Sequence, residues 1–306
     1  MSAKTILLSG ASGMMGSALQ IALRNSGGDV RQLVRRTPVD ATQVFWDPAA
    51  SRPVRLDALE GADAAIHLSG ANVAAHRWTA KYKREIASSR IDSTRALAVA
   101  LAGLQRPPRV LLVASATGIY GDRNEELLDE SSPPGDGFLS GICQMWEQAS
   151  EPTTRAGIRV VHLRFGVVLN RGRGALGKML PAFRLGLGGR LGSGRQWMSW
   201  IAIEDAVAAA EFLMNTPAIA GAVNLTSPHP VRNAEFAQTL ARCLHRPALV
   251  AVPAWALRLA LGEMAEEALL ASARVEPAKL LIAGFRFKYP HLDQALTAAI
   301  SPDDVA

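Results

Sequence analysis

Short apolar runs alternate with longer stretches of helical periodicity along most of this 306-residue chain. The runs at 4–9, 30–34, 42–46, 63–68 and 109–114 predict strands. The last, Arg109-Val-Leu-Leu-Val-Ala114, is apolar almost throughout, as a strand buried on both faces of a parallel sheet would be. Periodicity over 18–25, stopped by Gly27-Gly28, predicts a first helix; 79–104, ended before Pro107-Pro108, predicts a long one, and 138–156 a third. Further strands are expected at 158–163, 167–169, 200–203 and 222–225, with a helix at 204–214 between the last two. From Asn233 the chain reads as mostly helical, with one strand near 249–252. Alternation of this kind predicts an α/β fold, a doubly wound parallel sheet with helices on both faces.

Composition supports a packed globular protein and excludes a disordered or fibrous one: 49% of residues are hydrophobic and 20% charged. The most apolar window, 248–273, is broken by Pro253, Arg258, Glu263, Glu266 and Glu267, so no membrane span is expected. Met1-Ser-Ala-Lys4 does not read as a signal peptide, and Cys143 and Cys243 make neither a disulfide framework nor a metal motif. A cytoplasmic protein is expected. The net charge of +6 is unevenly placed. Residues 1–152 hold 16 basic and 16 acidic groups, whereas 155–195 holds nine basic groups, no acid and ten glycines. Those glycines suggest a loop folded closely over an anion. Without a recognition-helix or RNA-binding signature, a small anionic ligand fits this charge better than nucleic acid.

Chemistry concentrates first at Gly10-x-x-Gly13-x-x-Gly16, which follows a strand and opens a helix. In that context the motif binds a dinucleotide: Gly10 allows the turn, Gly13 lets backbone approach a pyrophosphate, and Gly16 brings helix and strand together. Ser12, Met14 and Met15 line the same turn. After the second strand the chain reads Leu33-Val34-Arg35-Arg36 with no acid until Asp40. An acid there would hold a ribose 2′-hydroxyl, whereas Arg35 and Arg36 suit a 2′-phosphate, so NADP is the expected cofactor.

With His67-Leu-Ser-Gly-Ala-Asn72, Arg77-Trp78, Ser89-Arg90, Ser115-Ala-Thr-Gly-Ile-Tyr-Gly-Asp122, Leu163-Arg-Phe-Gly-Val-Val-Leu169 and Gly192-Ser-Gly-Arg-Gln-Trp197, the chain resembles the extended short-chain dehydrogenase/reductases. More narrowly it is similar to their atypical "epimerase family" branch, the nucleoside-diphosphate-sugar-epimerase-like proteins of unassigned substrate. The likeness runs over essentially the whole chain. It implies that Leu68, Ser69 and Gly70 pass along the adenosine ribose and pyrophosphate, that Arg90 with Glu85 reaches the cofactor, and that Val167 and Val168 line its nicotinamide end.

The wider superfamily moves protons with a Tyr and a Lys four residues on. Here the residues four beyond Tyr82, Tyr120 and Tyr289 are Ile86, Asn124 and Asp293, and no lysine lies between Lys83 and Lys178. The groups left near the fifth strand are Ser115, Thr117 and Tyr120, with Glu147 on the helix that ordinarily carries the pair. Six histidines with no i,i+4 or H-x-H spacing argue against a metal. Lys178, Arg190, Arg195 and Trp197 are the expected substrate contacts.

These readings combine into a Rossmann-type dinucleotide-binding domain at 1–165, rejoined by 201–227. A smaller, mostly helical substrate-side domain comes from 166–200 and 228–306. The expected function is that of an NADP-dependent oxidoreductase or epimerase acting on a small anionic metabolite; the alternative is an NADP(H)-binding sensor without turnover. Neither nucleic acid nor membrane is an expected partner, and homodimerisation is left open.

Overall fold

The computed structural model describes residues 3–50 and 54–300; Met1 and Ser2, which open the stretch read for a signal peptide, lie outside them. In chain order the strands and helices begin β1 (Thr5–Ser9), α1 (Met14–Asn25), β2 (Asp29–Val34), β3 (Gln43–Phe45), β4 (Ala64–His67), α2 (Ala80–Ala102), β5 (Val110–Ala116) and β6 (Leu127–Leu128). There follow α3 (Phe138–Gln148), α4 (Glu151–Arg155), β7 (Arg159–Phe165), β8 (Val167–Leu169), α5 (Gly174–Arg184), β9 (Trp197–Met198), β10 (Trp200–Ala202), α6 (Ile203–Asn215) and β11 (Gly221–Leu225). The chain closes with β12 (Val231–Arg232), α7 (Asn233–Cys243), α8 (Ala254–Leu261), α9 (Glu263–Ala265), β13 (Arg274–Val275), α10 (Ala278–Ile282) and α11 (Leu292–Ile300).

Seven strands form the central sheet in the order β11-β7-β5-β4-β1-β2-β3. The ladders joining β1 to β2 and β4, β2 to β3, and β4 to β5 are parallel. Winding leaves β1 in one direction through β2 and β3, then returns past it to β4. The reversal therefore falls between β1 and β4, where Ser9 is in register with His67. In such sheets ligands gather at the carboxyl ends of the strands flanking this point. Ile6, Leu7 and Leu8, Ala64 to Ile66, and Leu111 to Val113 are all buried, as continuous apolar strands covered on both faces must be.

The chain divides into two compact units. Residues up to 115, with 142–163 and 207–223, form the first; 116–141, 164–206 and 224 onward form the second. The second has its own core, in which Leu176, Leu180 and Phe183 of α5 join Trp200, Phe236, Leu240 and Leu296.

Local differences from the sequence expectation have local causes. The helix expected over 138–156 is two, because Pro152 supplies no backbone N–H and stands at the start of α4. The Gly-rich basic stretch is not all loop: α5 runs through it, burying Leu176, Leu180 and Phe183 on one face. The strand expected near 249–252 is reduced to a single bridge between Leu191 and Val252. The short pairs β6/β13 and β9/β12 carry too few residues for periodicity to mark them. No helix among the described residues is long and apolar enough to cross a membrane.

Candidate functional site

The turn after β1 is shaped by its glycines. Gly10 has φ +70°, a left-handed conformation, and a Cβ on it would lie 2.7 Å from the Leu68 carbonyl. A Cβ on Gly16 would lie 2.1 Å from the Gly10 oxygen, so Gly16 is fitted against the turn itself. Gly13 is different: its φ is −72°, and its Cβ would come only to 3.2 Å of that oxygen. Ser12 and Gly13 are exposed where α1 begins, and the helix carries no acid in its first turn. Its positive end is thus left uncompensated by any carboxylate of its own. Arg35 and Arg36 follow β2 directly and are exposed. Arg36 contributes to holding the Asp40 carboxyl below its ordinary value, whose chief cause is the Thr42 hydroxyl. Arg35 has no hydrogen bond or ion pair among the described residues.

At the end of β4 a buried chain of hydrogen bonds fixes the facing loop. The Ser93 hydroxyl donates to the Ser89 carbonyl at 2.6 Å, so it accepts from His67 Nε2, 3.1 Å away. His67 Nδ1 is then an acceptor, taking the Ser9 proton at 2.6 Å, and Ser9 Oγ in turn accepts the Leu68 amide at 3.2 Å. The tautomer follows from the network. Burial lowers the His67 pKa to about 4, so the ring is neutral at neutral pH. Beyond it, Gly70 is exposed and passes close to Arg90 on α2. The Arg90 guanidinium donates to the Ala71 carbonyl at 2.9 Å and to Ile86 at 3.1 Å, lies 5.1 Å from the Trp146 ring, and has its pKa lowered by burial. Glu85 is exposed on the same helix.

A second polar group is built where α3 packs beside β5. The Trp146 indole donates to Thr94 of α2 at 2.9 Å. The next residue, Glu147, accepts the Ser115 hydroxyl at 2.7 Å, and its other oxygen lies 3.9 Å from His162 Nδ1. Ser150 donates to the Glu147 carbonyl at 2.7 Å, leaving its oxygen to accept His162 Nε2–H at 2.9 Å. Ser115 is 3% exposed. Sequence reading named Ser115 and Glu147 separately and passed over His162 and Ser150, because only the sheet brings β5 and β7 under one helix.

The remaining candidates belong to the second unit. Tyr120 is fully buried; its hydroxyl donates to Asn224 at 2.8 Å and accepts from Arg164 at 2.9 Å, and burial raises its pKa. Thr117 makes a long 3.4 Å bond to the Phe165 carbonyl. Val167 and Val168 lie on β8, in register with Trp200 and Ile201 of β10. A cavity of about 160 Å³ is lined by Gly118, Gly121, Asp122, Asp136, Leu139, Glu266, Glu267 and Ala271, with no basic side chain. Lys178, Arg190 and Arg195 are exposed, and Arg190 folds back onto the Ser193 carbonyl at 2.8 Å. The guanidinium groups of Arg232 and Arg274 lie over the Trp197 ring, at 4.7 and 4.6 Å, and Trp197 donates to Glu125 at 2.9 Å. Hydrogen bonds from Arg232 and then Trp197 hold the Glu125 carboxyl below its ordinary value. Among the described residues no group of three or more His, Cys, Asp or Glu could hold a metal ion.

The profile of the NAD dependent epimerase/dehydratase family matches residues 6–225, and that of a domain of unknown function, DUF1731, matches 252–299. Epimerase family protein ML0860 of Mycobacterium leprae is 41% identical over 294 residues, which cover 96% of this chain and 95% of that protein. The crystal structure of human epimerase family protein SDR39U1 with NADPH is similar at a TM-score of 0.88 and 34% identity, covering 96% of this chain and 98% of that one. A nucleoside-diphosphate sugar epimerase from Corynebacterium glutamicum is similar at 0.78 and 34% identity, over 96% of this chain but 57% of that longer one.

Proposed function

This chain belongs to the NAD dependent epimerase/dehydratase family, and from that premise we propose that it is an NADP(H)-dependent oxidoreductase or epimerase of a small metabolite. The observation that carries the reading is the glycine cradle at the acid-free start of α1, together with the unpartnered Arg35 after β2. A cradle that a Cβ would fill, beside a free cation, fits a dinucleotide with a 2′-phosphate. Human SDR39U1, crystallised with NADPH, supports the choice of nucleotide. Gly10, Ser12, Gly13, Met14, Met15 and Gly16 would hold the pyrophosphate and Arg35 and Arg36 the 2′-phosphate. Leu68, Ser69 and Gly70 would meet the adenosine side, with Arg90 and Glu85 behind them. Val167 and Val168 would meet the nicotinamide. When bound, the cofactor supplies or accepts a hydride.

The chain's own task is then to move a proton. Ser115 and Glu147 stand in for the missing Tyr and Lys: when a substrate alcohol is oxidised, Ser115 takes its proton while passing its own to the Glu147 carboxylate, and when NADPH reduces a carbonyl the same relay runs backward to protonate the substrate oxygen. Tyr120 has both its donor and its acceptor engaged by Asn224 and Arg164, which suits a structural role. A small anionic substrate stays part of the proposal, with Lys178 and Arg195 as its exposed cations.

The test uses NADPH deuterated at the 4-position, offered with pooled anionic metabolites and read by mass spectrometry. We expect label transfer by the unmodified chain. Ser115→Ala and Glu147→Gln should each lower transfer by about 100-fold or more while NADPH affinity stays within about twofold. NADPH binding without transfer to any pool would favour the sensor, as the lost Tyr–Lys pair suggests. Transfer unchanged in both variants would remove this pair from the mechanism.

A further inference from the structure

The basic, acid-free character of 155–195 is not absorbed by the nucleotide site. No acid lies between Glu151 and Glu204, and none between Glu235 and Glu263. The fold of the second unit brings these two stretches together. Val252 donates to the Arg190 carbonyl at 2.9 Å, Gly192 donates to Val252 at 2.8 Å, and a Cβ on Gly189 would lie 1.6 Å from the Val250 oxygen. Where they meet, large apolar side chains face water: Leu185 is 74% exposed, Leu187 60%, Leu249 86%, Trp255 67% and Leu259 72%. On α8, Trp255 and Leu259 are four residues apart and share a face, while Leu257 turns inward and is buried. Arg184 and Arg246, in the same two stretches, are exposed and pair with no carboxylate among the described residues. Arg258 is the cation here that does, with Glu266.

Exposed leucines and a tryptophan set among unpaired arginines have the chemistry of an interfacial surface. Two copies meeting face to face here would oppose like charges, which disfavours self-association. A partner helix would need a groove, and the cavities lined by residues 118–139 and 266–271 involve neither of these stretches. We propose that the face formed by 184–190 and 246–259 docks peripherally on an anionic phospholipid membrane, its leucines and Trp255 entering the headgroup layer and its arginines meeting lipid phosphates. This goes beyond the enzymatic reading and departs from the sequence expectation of no membrane partner, which rested on the absence of a spanning segment.

The experiment is sedimentation of the full chain with vesicles of phosphatidylcholine alone or with about 30 mol% phosphatidylglycerol. Emission can be followed as well, since Trp46, Trp78, Trp146 and Trp200 are buried and Trp255 is the most exposed tryptophan described. We expect binding to the anionic vesicles only, a blue shift of emission, and release by about 0.5 M salt. Trp255→Ser/Leu259→Ser and Arg184→Glu/Arg246→Glu should each weaken binding by about tenfold or more. Val99→Ser, which removes an exposed apolar residue of the first unit, should not. NADPH affinity should be unchanged in all three. Absence of binding to anionic vesicles would overturn the proposal, as would binding that survives both patch variants. A dimer that forms in solution and is lost in Trp255→Ser/Leu259→Ser would overturn it in favour of a second copy.

Discussion

His67 shows how a residue outside the chemistry sets conditions for it. Its ring is fully buried between Ser9 and Ser93, and burial lowers its pKa from 6.5 to about 4. Between those pH values the unfolded chain takes up a proton that the folded chain refuses. The stabilisation is therefore complete above about pH 6.5 and is lost as the pH falls toward 4, by about 3 kcal/mol in all. Urea unfolding from pH 4.5 to 7.5 should show that slope in the unmodified chain and a flatter one in His67→Gln. The two turn glycines divide on similar grounds. Gly16→Ala drives a methyl into the Gly10 carbonyl and should cost about 3 kcal/mol of stability. Gly13→Ala meets the same oxygen at 3.2 Å and should cost under about 1 kcal/mol, yet weaken NADPH about tenfold, read by calorimetric titration. Equal stability losses in the two variants would contradict the assignment of Gly13 to the ligand.

At the scale of elements, α3 is the helix on which most depends. Its first turn has no acid of its own, and Glu267, from far along the chain, accepts the amides of Phe138 and Leu139 at 2.8 and 2.7 Å. A carboxylate there satisfies orphan amides and opposes the positive end of the helix. Glu267→Ala should lower the unfolding free energy by about 1–2 kcal/mol, measured in urea, with Glu267→Gln recovering part of it. The alternation of strands and helices was readable from periodicity, since β1, β4 and β5 are apolar runs of strand length. What periodicity missed were elements held only by neighbours. The pairs β6/β13 and β9/β12 have two residues a strand, and α5 hides among glycines because its apolar face shows only once it packs on β8 and Trp200.

On the scale of the whole molecule, the expected cofactor residues are divided between the units. The Gly10–Gly16 turn, Arg35 and Leu68 to Gly70 belong to the first, Val167 and Val168 to the second. Within the first unit, hydrogen exchange with saturating NADPH should show protection at 10–16 and 68–70. Exchange there unchanged by NADPH would take the turn and Leu68 to Gly70 out of the site. Saturation at about a hundred times the dissociation constant should also stabilise the chain by about 2.7 kcal/mol. A further exchange of Arg35 for Asp should bring the NADPH and NADH affinities together, because the cation after β2 would become the acid that NAD binding uses.

The sequence by itself determined whatever depends on residues close along the chain: the glycine turn after a strand, the arginines after the second strand, the apolar strands of the sheet, and the loss of the Tyr–Lys pair. Those signals are local because each needs only a backbone conformation or a side chain at a strand end. Tertiary structure decided which distant groups meet. Ser115 is 32 positions from Glu147 in the chain and 2.7 Å from it in space. Tyr120 is tied to Asn224, 104 positions on, and burial raises the pKa of its phenol. The basic stretch meets the segment just before α8, through the Val252 and Arg190 backbone, although more than 60 positions separate them. Burial and pairing are properties of the packed chain, and no spacing in the sequence records them.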